Sequence, residues 1–312
     1  MKKLTVALLA GGISSEREVS LQSGDQVYEA LDKDKYQIRR YDPKTDLGRL
    51  VKDASGIDVA LIILHGPYGE DGTVQGLLDL LGIPYQGSGV LGSALAMNKA
   101  VTKKLYELAG LPVPSYIIYD RSDNVNVDAC VKQLGLPLVV KPVSGGSSVG
   151  MSIVRSAADL QDALDKAIVY DNAVMAEAFI AGIELTAVVI GNKKMKALPI
   201  IEIVPDKSRE FFDYEAKYTP GVTQEICPSR IDDELTQQTQ SYAKIAHRAL
   251  YCWGYSRTDM ILIDRKIYVL ETNTIPGMTA TSLLPQAAQV GGLSFSQLMD
   301  NLIELALEEH QN

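Results

Sequence analysis

Residues 257–273 constrain the chain more than any other stretch. In Arg257-Thr-Asp259-Met-Ile-Leu-Ile-Asp-Arg-Lys-Ile-Tyr-Val-Leu-Glu271-Thr-Asn273, two apolar runs, 260–263 and 267–270, flank the polar triplet Asp264-Arg265-Lys266. Strand, short polar loop and strand make a β-hairpin pattern. With the triplet as the loop, Ile263 faces Ile267, Asp259 faces Glu271 and Arg257 faces Asn273. Side chains alternate across a strand, so Arg257, Asp259, Glu271 and Asn273 project from one side. Two carboxylates and an amide suit a hard cation such as Mg²⁺, and a neighbouring guanidinium can stabilise charge that develops on a reacting group. The competing reading is a surface charge network on an exposed hairpin. A two-residue loop would shift the register and spoil the pairing.

The N-terminal part alternates differently. Leu4–Ala10 is a continuous apolar strand that runs into Gly11-Gly12-Ile-Ser-Ser-Glu16-Arg-Glu18, where Ser14 or Ser15 can cap a helix. Val59–Leu64 is a second such strand, ending in His65-Gly66-Pro67-Tyr68-Gly69-Glu70-Asp71-Gly72; a helix at 74–81 and a short strand at 83–85 follow. This β/loop/α alternation predicts a small parallel sheet over roughly the first 95 residues, with ligand-binding loops at the strand ends. Glu16 also reads as ordinary decoration of a helix N-terminus, and His65 as a structural hydrogen-bonding group.

From residue 98 the pattern changes. A helix through Lys99 closes at Gly110, a strand spans 113–119 and a helix 128–134. Pro137-Leu-Val-Val-Lys141-Pro-Val-Ser144-Gly145-Gly146-Ser147-Ser148-Val-Gly150 joins two strands through a Gly/Ser loop whose amides can wrap phosphate oxygens, with Lys141 as a point charge. It is not a P-loop, since the Gly-Lys-Ser/Thr ending is absent. After a helix at 157–168, Glu177 and Glu184 bracket an apolar bend, a pattern that suits a nucleotide clamp. Residues 205–230 are charged and aromatic without a period, as functional lids are. Helices at 232–251 and 296–308 complete the reading.

The 312 residues suffice for two or three domains. A net charge of −9 gives no support to a nucleic-acid or anionic-membrane partner. Cys130, Cys227 and Cys252 lie far apart without a Cys-x-x-Cys spacing, so neither a disulfide framework nor a zinc site is indicated and a reducing compartment is expected. The apolar start is at the short limit for a signal peptide and meets Glu16-Arg17-Glu18 before a cleavage site. A cytoplasmic protein without membrane spans is the expectation.

Together, Gly-Gly-x-Ser-Ser-Glu16-Arg-Glu-Val-Ser, His65-Gly, Lys141-Pro with Gly146-Ser147-Ser148-Val-Gly, Tyr-Glu-Ala-Lys217-Tyr218, Arg257-x-Asp259 and Glu271-x-Asn273-x-x-Pro-Gly-Met-Thr resemble the D-alanine:D-alanine ligases of the ATP-grasp superfamily. The resemblance covers essentially the whole chain. It implies an α/β and α+β fold, with an N-terminal parallel α/β domain (1–97), a central ATP-grasp lobe (98–181) and a C-terminal lobe with metal site and lid (182–312). The implied reaction phosphorylates one D-alanine with ATP and joins the acyl phosphate to a second D-alanine, for peptidoglycan precursor synthesis.

By the same resemblance, Lys99, Lys141 and Ser148 contact ATP phosphates, Glu177 and Ile180 the adenine edge, and Glu184 the ribose. Asp259, Glu271 and Asn273 hold two Mg²⁺ or Mn²⁺ ions. Glu16 binds the first D-alanine's ammonium with His65 near its carboxylate, and Ser147 and Tyr218 join Glu16 in a hydrogen-bonded triad. Arg257 and the Gly277 N–H form the oxyanion site, Ser282 and Leu283 anchor the second D-alanine, and Lys217 approaches the transferred phosphate from the lid. A homodimer is implied too. Ser144-Gly145-Gly146 departs from relatives that carry a charged pair there, which removes side-chain contacts but leaves the loop amides. A D-lactate ester-forming or other ATP-grasp ligase, and a non-catalytic nucleotide-binding protein, are the alternatives.

Overall fold

The computed structural model describes residues 3–205 and 223–309. Lys217 and Tyr218, with the expected lid around them, lie outside the described residues. Three sheets organise the rest.

In the first, β1 (Leu4–Ala10) lies between β2 (Tyr36–Tyr41) and β3 (Val59–Ile63), all parallel. β1 and β3 are buried along nearly their whole length, which is why both read as unbroken apolar runs. β2, Tyr-Gln-Ile-Arg-Arg-Tyr, is buried only at its two tyrosines and gives no strand signal in the sequence. The helix Arg17–Ala30 covers this sheet, and Gly24 lets it close in: a Cβ there would stand 2.5 Å from that of Ala10. This helix starts later than expected, with Glu16 at its N-cap and no serine cap; Ser14 Oγ instead accepts the Glu16 N–H at 3.2 Å.

The strand expected at 83–85 reduces to one parallel bridge between Ala60 and Tyr85. Pro84 has no N–H for a ladder, and the Gln86 side chain takes over, accepting from Ile62 N–H and donating to Ile62 C=O, each at 2.7 Å.

The second sheet is antiparallel, in the order β4 (Tyr116–Asp120), β7 (Ala173–Ala178), β5 (Leu138–Pro142), β6 (Ser152–Val154). One face packs Leu138, Val140, Val174 and Ala176 against Leu160 and Leu164 of the helix Leu160–Ala167. The alternation turns Val139, Lys141 and Glu177 to the other face.

The third sheet runs β11 (Thr223–Ile226), β10 (Ile201–Pro205), β8 (Ile183–Ile190), β12 (Tyr255–Ile263), β13 (Lys266–Asn273), with β9 (Lys196–Ala197) beside β8. Alternate residues of β8 enter different cores. Leu185, Ala187 and Val189 meet the helix Asp233–Ala249 and Tyr106 of the helix Lys99–Leu108. Val188 and Ile190 share a core with Val6 and Leu8 of β1 and with the helices Leu283–Val290 and Phe295–Glu309, which ties the first sheet to the third.

The hairpin corrects the sequence reading in one respect. Its turn is two residues, Asp264-Arg265, both left-handed (φ 47° and 61°), and Ile263 pairs with Lys266, not Ile267. Yet Asp259 still faces Glu271 and Arg257 still faces Asn273, because the register shifts once between Asp259 and Met260. Leu270 is the extra residue of this β-bulge, and burial along β13 skips accordingly from Val269 to Thr272.

Candidate active site

The second and third sheets face each other across a cleft of about 1130 Å³, open mouth included. Its wall gathers Lys99, Lys141, Ser147, Ser148, Glu177, Ile180, Glu184, Asp259 and Glu271.

β5 and β7 place Lys141 and Glu177 side by side. Lys141 Nζ donates to Glu177 Oε2 at 2.7 Å, while Lys103, wholly buried behind them on the helix Lys99–Leu108, forms an ion pair with Glu177 Oε1. Lys103 Nζ also donates to the Val269 carbonyl of β13 at 3.3 Å. Burial pushes the Glu177 carboxyl up, but the two lysines outweigh it and hold the group below its ordinary range. Burial likewise pulls Lys141 down, and Glu177 with Glu271 reverses that; for Lys103 burial prevails and its pKa is lowered.

The Gly/Ser loop is tethered from two directions. Ser147 Oγ donates to Glu16 Oε1, which reaches across from the first unit, and Lys99 Nζ donates to the Gly145 carbonyl. Lys99 sits at the start of its helix because Asn98 breaks the preceding one and caps the next, its side chain accepting the Val101 N–H at 3.0 Å. Ser147 and Ser148 are both left-handed (φ 51° and 58°), a conformation that costs a non-glycine residue about 1–3 kcal/mol and persists only where the surroundings impose it. Backbone curled this way can present its amides to an anion.

On the facing wall, Asp259 accepts from Arg257 Nε (2.9 Å) and Nη2 (2.7 Å), from Thr186 Oγ1 (2.6 Å) and from Asn273 Nδ2 (3.2 Å). Glu271 lies directly across the strand pair. Among the described residues no three His, Cys, Asp or Glu side chains gather to hold a metal unaided. The donor set fits a hard divalent cation that shares its coordination between these oxygens, water and a phosphate-bearing ligand.

The first unit contributes the end of β3. His65 is buried, and its Nε2 has no hydrogen-bond partner among the described residues. Burial lowers its pKa against the charge of Glu16 and a bond to the Ile275 backbone, so the ring is neutral. Glu70 accepts the Gly66 N–H at 2.6 Å, and burial, reinforced by Glu16, pushes its carboxyl up to about 8. Gly277, Ser282 and Leu283 do not line the cleft. They form the turn into the helix Leu283–Val290, where Ser282 Oγ accepts the Thr279 N–H at 3.1 Å and the Ala280 N–H reaches Gln26 Oε1 at 2.6 Å. A Cβ on Gly277 would stand 3.0 Å from Ser282 Oγ, so glycine keeps this turn tight.

Three residues escaped the sequence reading. Thr186 and Glu70 carry no signal apart from their partners. Lys103 does carry one: with Thr102 and Tyr106 it occupies the buried stripe of its helix, where a lysine demands a buried partner.

Comparison with known proteins agrees with this geometry. The sequence model of the D-ala D-ala ligase C-terminus matches residues 105–304, and that of the N-terminus matches residues 39–88. A D-alanine–D-alanine ligase of Syntrophobacter fumaroxidans is 60% identical over 308 residues, 99% of each chain. The Bacillus anthracis D-alanine–D-alanine ligase complexed with ATP superposes with a TM-score of 0.86 at 37% identity over 99% of both chains. The VanG D-Ala:D-Ser ligase of Enterococcus faecalis superposes at 0.83, with 33% identity over 98% of this chain and 100% of that one. With sequence and fold matched from end to end, the chain belongs to the D-alanine–D-alanine ligase family.

Proposed function

We propose that this chain joins two D-alanine molecules to D-alanyl-D-alanine at the expense of ATP, as a step of peptidoglycan precursor synthesis. The observation that carries the reading is the cleft itself: a lysine-flanked carboxylate, a tethered Gly/Ser loop and the Asp259–Glu271 pair share one wall-to-wall space. ATP lies with its adenine edge at Glu177 and Ile180, its ribose at Glu184 and its phosphates under Lys99, Lys141 and the amides near Ser148.

A carboxylate oxygen of the first D-alanine attacks the γ-phosphorus and ADP leaves. The amine of the second attacks the acyl phosphate carbon; the C–O bond to phosphate breaks and the amine gives up a proton. Asp259, Glu271 and Asn273 are the residues that would hold two Mg²⁺ or Mn²⁺ ions, which would neutralise charge on the transferred phosphoryl group. Glu16 receives the first ammonium, and the Ser147 bond orients it; Tyr218 completes that triad. His65 lies near the first carboxylate, and its buried, unpartnered Nε2 supports a role there. Arg257 and the Gly277 N–H meet the oxyanion, Ser282 and Leu283 the second carboxylate, and Lys217 the transferred phosphate. Water must be kept from the acyl phosphate, which it would otherwise hydrolyse.

The units divide as 1–97, 98–181 and 182–312, and the protein acts as a cytoplasmic homodimer. No helix among the described residues is long and apolar enough to cross a membrane.

The test is phosphate release from ATP and Mg²⁺ with D-alanine, the product identified by mass, with D-serine, D-lactate and L-alanine as competitors. D-Alanine as the best acceptor is expected. Preference for D-serine or D-lactate would move the assignment to another acceptor, and no release with any of them would reject a ligase.

A further inference from the structure

Among the described residues, Lys103 is the one fully buried ammonium, and the reading of the cleft leaves it without a task. Its Nζ meets two elements that otherwise belong to opposite walls. It pairs with Glu177 Oε1 on β7 and donates to the Val269 carbonyl on β13, two residues before Glu271. One helical turn further, Tyr106 OH shares a hydrogen bond of 2.5 Å with Thr272 Oγ1, so the same helix face fixes β13 on the other side of Glu271.

The charge arithmetic at Glu177 is specific. A carboxylate offers about four lone-pair sites. Lys141, on the cleft wall, donates to Oε2, and Lys103, off the wall, forms an ion pair with Oε1. Both carboxylate oxygens are thus held by lysines while Glu177 itself lines the cleft. A carboxylate held from behind can accept from an exocyclic amine but cannot donate, so it discriminates a 6-amino purine from a 6-oxo purine. Without Lys103, Lys141 would be its sole ionic partner among the described residues, and the carboxylate could swing toward it.

We propose that Lys103 is a positioning residue for nucleotide selection, locking the Glu177 carboxylate in the orientation that recognises an adenine amino group. This rests on the reading that the cleft takes ATP with its base at Glu177.

The test compares ATP with inosine triphosphate, which carries a 6-oxo group, in the full-length enzyme. Steady-state KM and kcat are measured for wild type, Lys103→Met, Glu177→Gln and the double variant. Lys103→Met is expected to raise KM for ATP about tenfold or more, to shrink the preference for ATP over inosine triphosphate to that of Glu177→Gln, and to leave kcat at saturating ATP and the KM for D-alanine within about threefold, because a residue acting through another loses its effect once the partner is changed. The double variant, which removes both charges and so avoids a stranded buried carboxylate, is expected to match Glu177→Gln alone. It carries the test if Lys103→Met does not fold. An unchanged ATP preference in Lys103→Met, or a double variant less selective than Glu177→Gln, would overturn the proposal. An unchanged preference in Glu177→Gln would instead overturn the placement of the base at Glu177.

Discussion

The two walls of the cleft hold their carboxylates by opposite strategies. Glu177 is sealed: its side chain is 3% exposed, and its partners Lys103 and Lys141 are 1% and 13% exposed. Asp259 and Arg257, at 20% and 13%, hold each other through two hydrogen bonds on an open strand face, with Thr186 and Asn273 assisting. Burial makes ionic partners hard to exchange, since each must be desolvated or replaced at once, whereas a partly solvated pair can trade partners. A rigid wall suits recognition of a constant base. An exchangeable wall suits cations and phosphates that arrive and leave in each turnover.

If this contrast is right, changes on the open wall cost activity and changes on the sealed wall cost stability. The largest effect is expected from Glu271→Gln, which should lower kcat by about 10²–10³-fold, the loss typical of removing one preorganised electrostatic group, with the unfolding midpoint within about 2 °C of wild type. Phosphate release and thermal melts check this; near-normal turnover at saturating Mg²⁺ would dissolve the contrast. On the sealed wall, Glu177→Ala strands two lysines and should destabilise the fold by about 3–5 kcal/mol, read from urea denaturation. A loss close to zero would show that the lysines find other partners.

Ser147→Ala tests the tether between the walls and the first unit. It removes a hydrogen bond to a charged group, worth about 1.5–3 kcal/mol, so kcat/KM for D-alanine should fall roughly ten- to a hundredfold. The smallest effect concerns the face hidden behind the open wall. His247 shares a 2.7 Å bond with Ser256 Oγ of β12, and burial holds its pKa down at about 4. The folded state therefore binds fewer protons than the unfolded one between about 4 and 6.5. Stability present above 6.5 is lost as pH falls through that window, by about 1–2 kcal/mol at pH 5. His247→Gln should flatten this slope in urea titrations at pH 7.5 and 5; an unchanged slope would place the acid sensitivity elsewhere.

Much of this contrast was legible in the sequence, but unevenly. β1 and β3 announce themselves because strands buried on both faces admit only apolar residues. β2 does not, because an edge strand with an exposed middle tolerates Gln37, Arg39 and Arg40. The pairings of Arg257 with Asn273 and Asp259 with Glu271 were reached through a loop one residue too long, and the bulge at Leu270 made up the difference. No local residue type marks that bulge. Glu177 was visible as a carboxylate beside an apolar bend, but its sealing was not, since the partner on its hidden side comes from a helix 74 residues earlier, at Lys103. Pairings over such distances follow from packing, which a periodicity cannot report.

The two-residue tip and the bulge at Leu270 also restrict how this hairpin can change length in descent. Deleting Leu270 alone would restore regular alternation and leave Asp259 opposite Glu271 and Arg257 opposite Asn273, whereas one residue inserted between Thr272 and Asn273 would turn Asn273 to the inward face and away from Arg257. Length can therefore change at the bulge but not beyond it, where both facing pairs sit in one unbroken register.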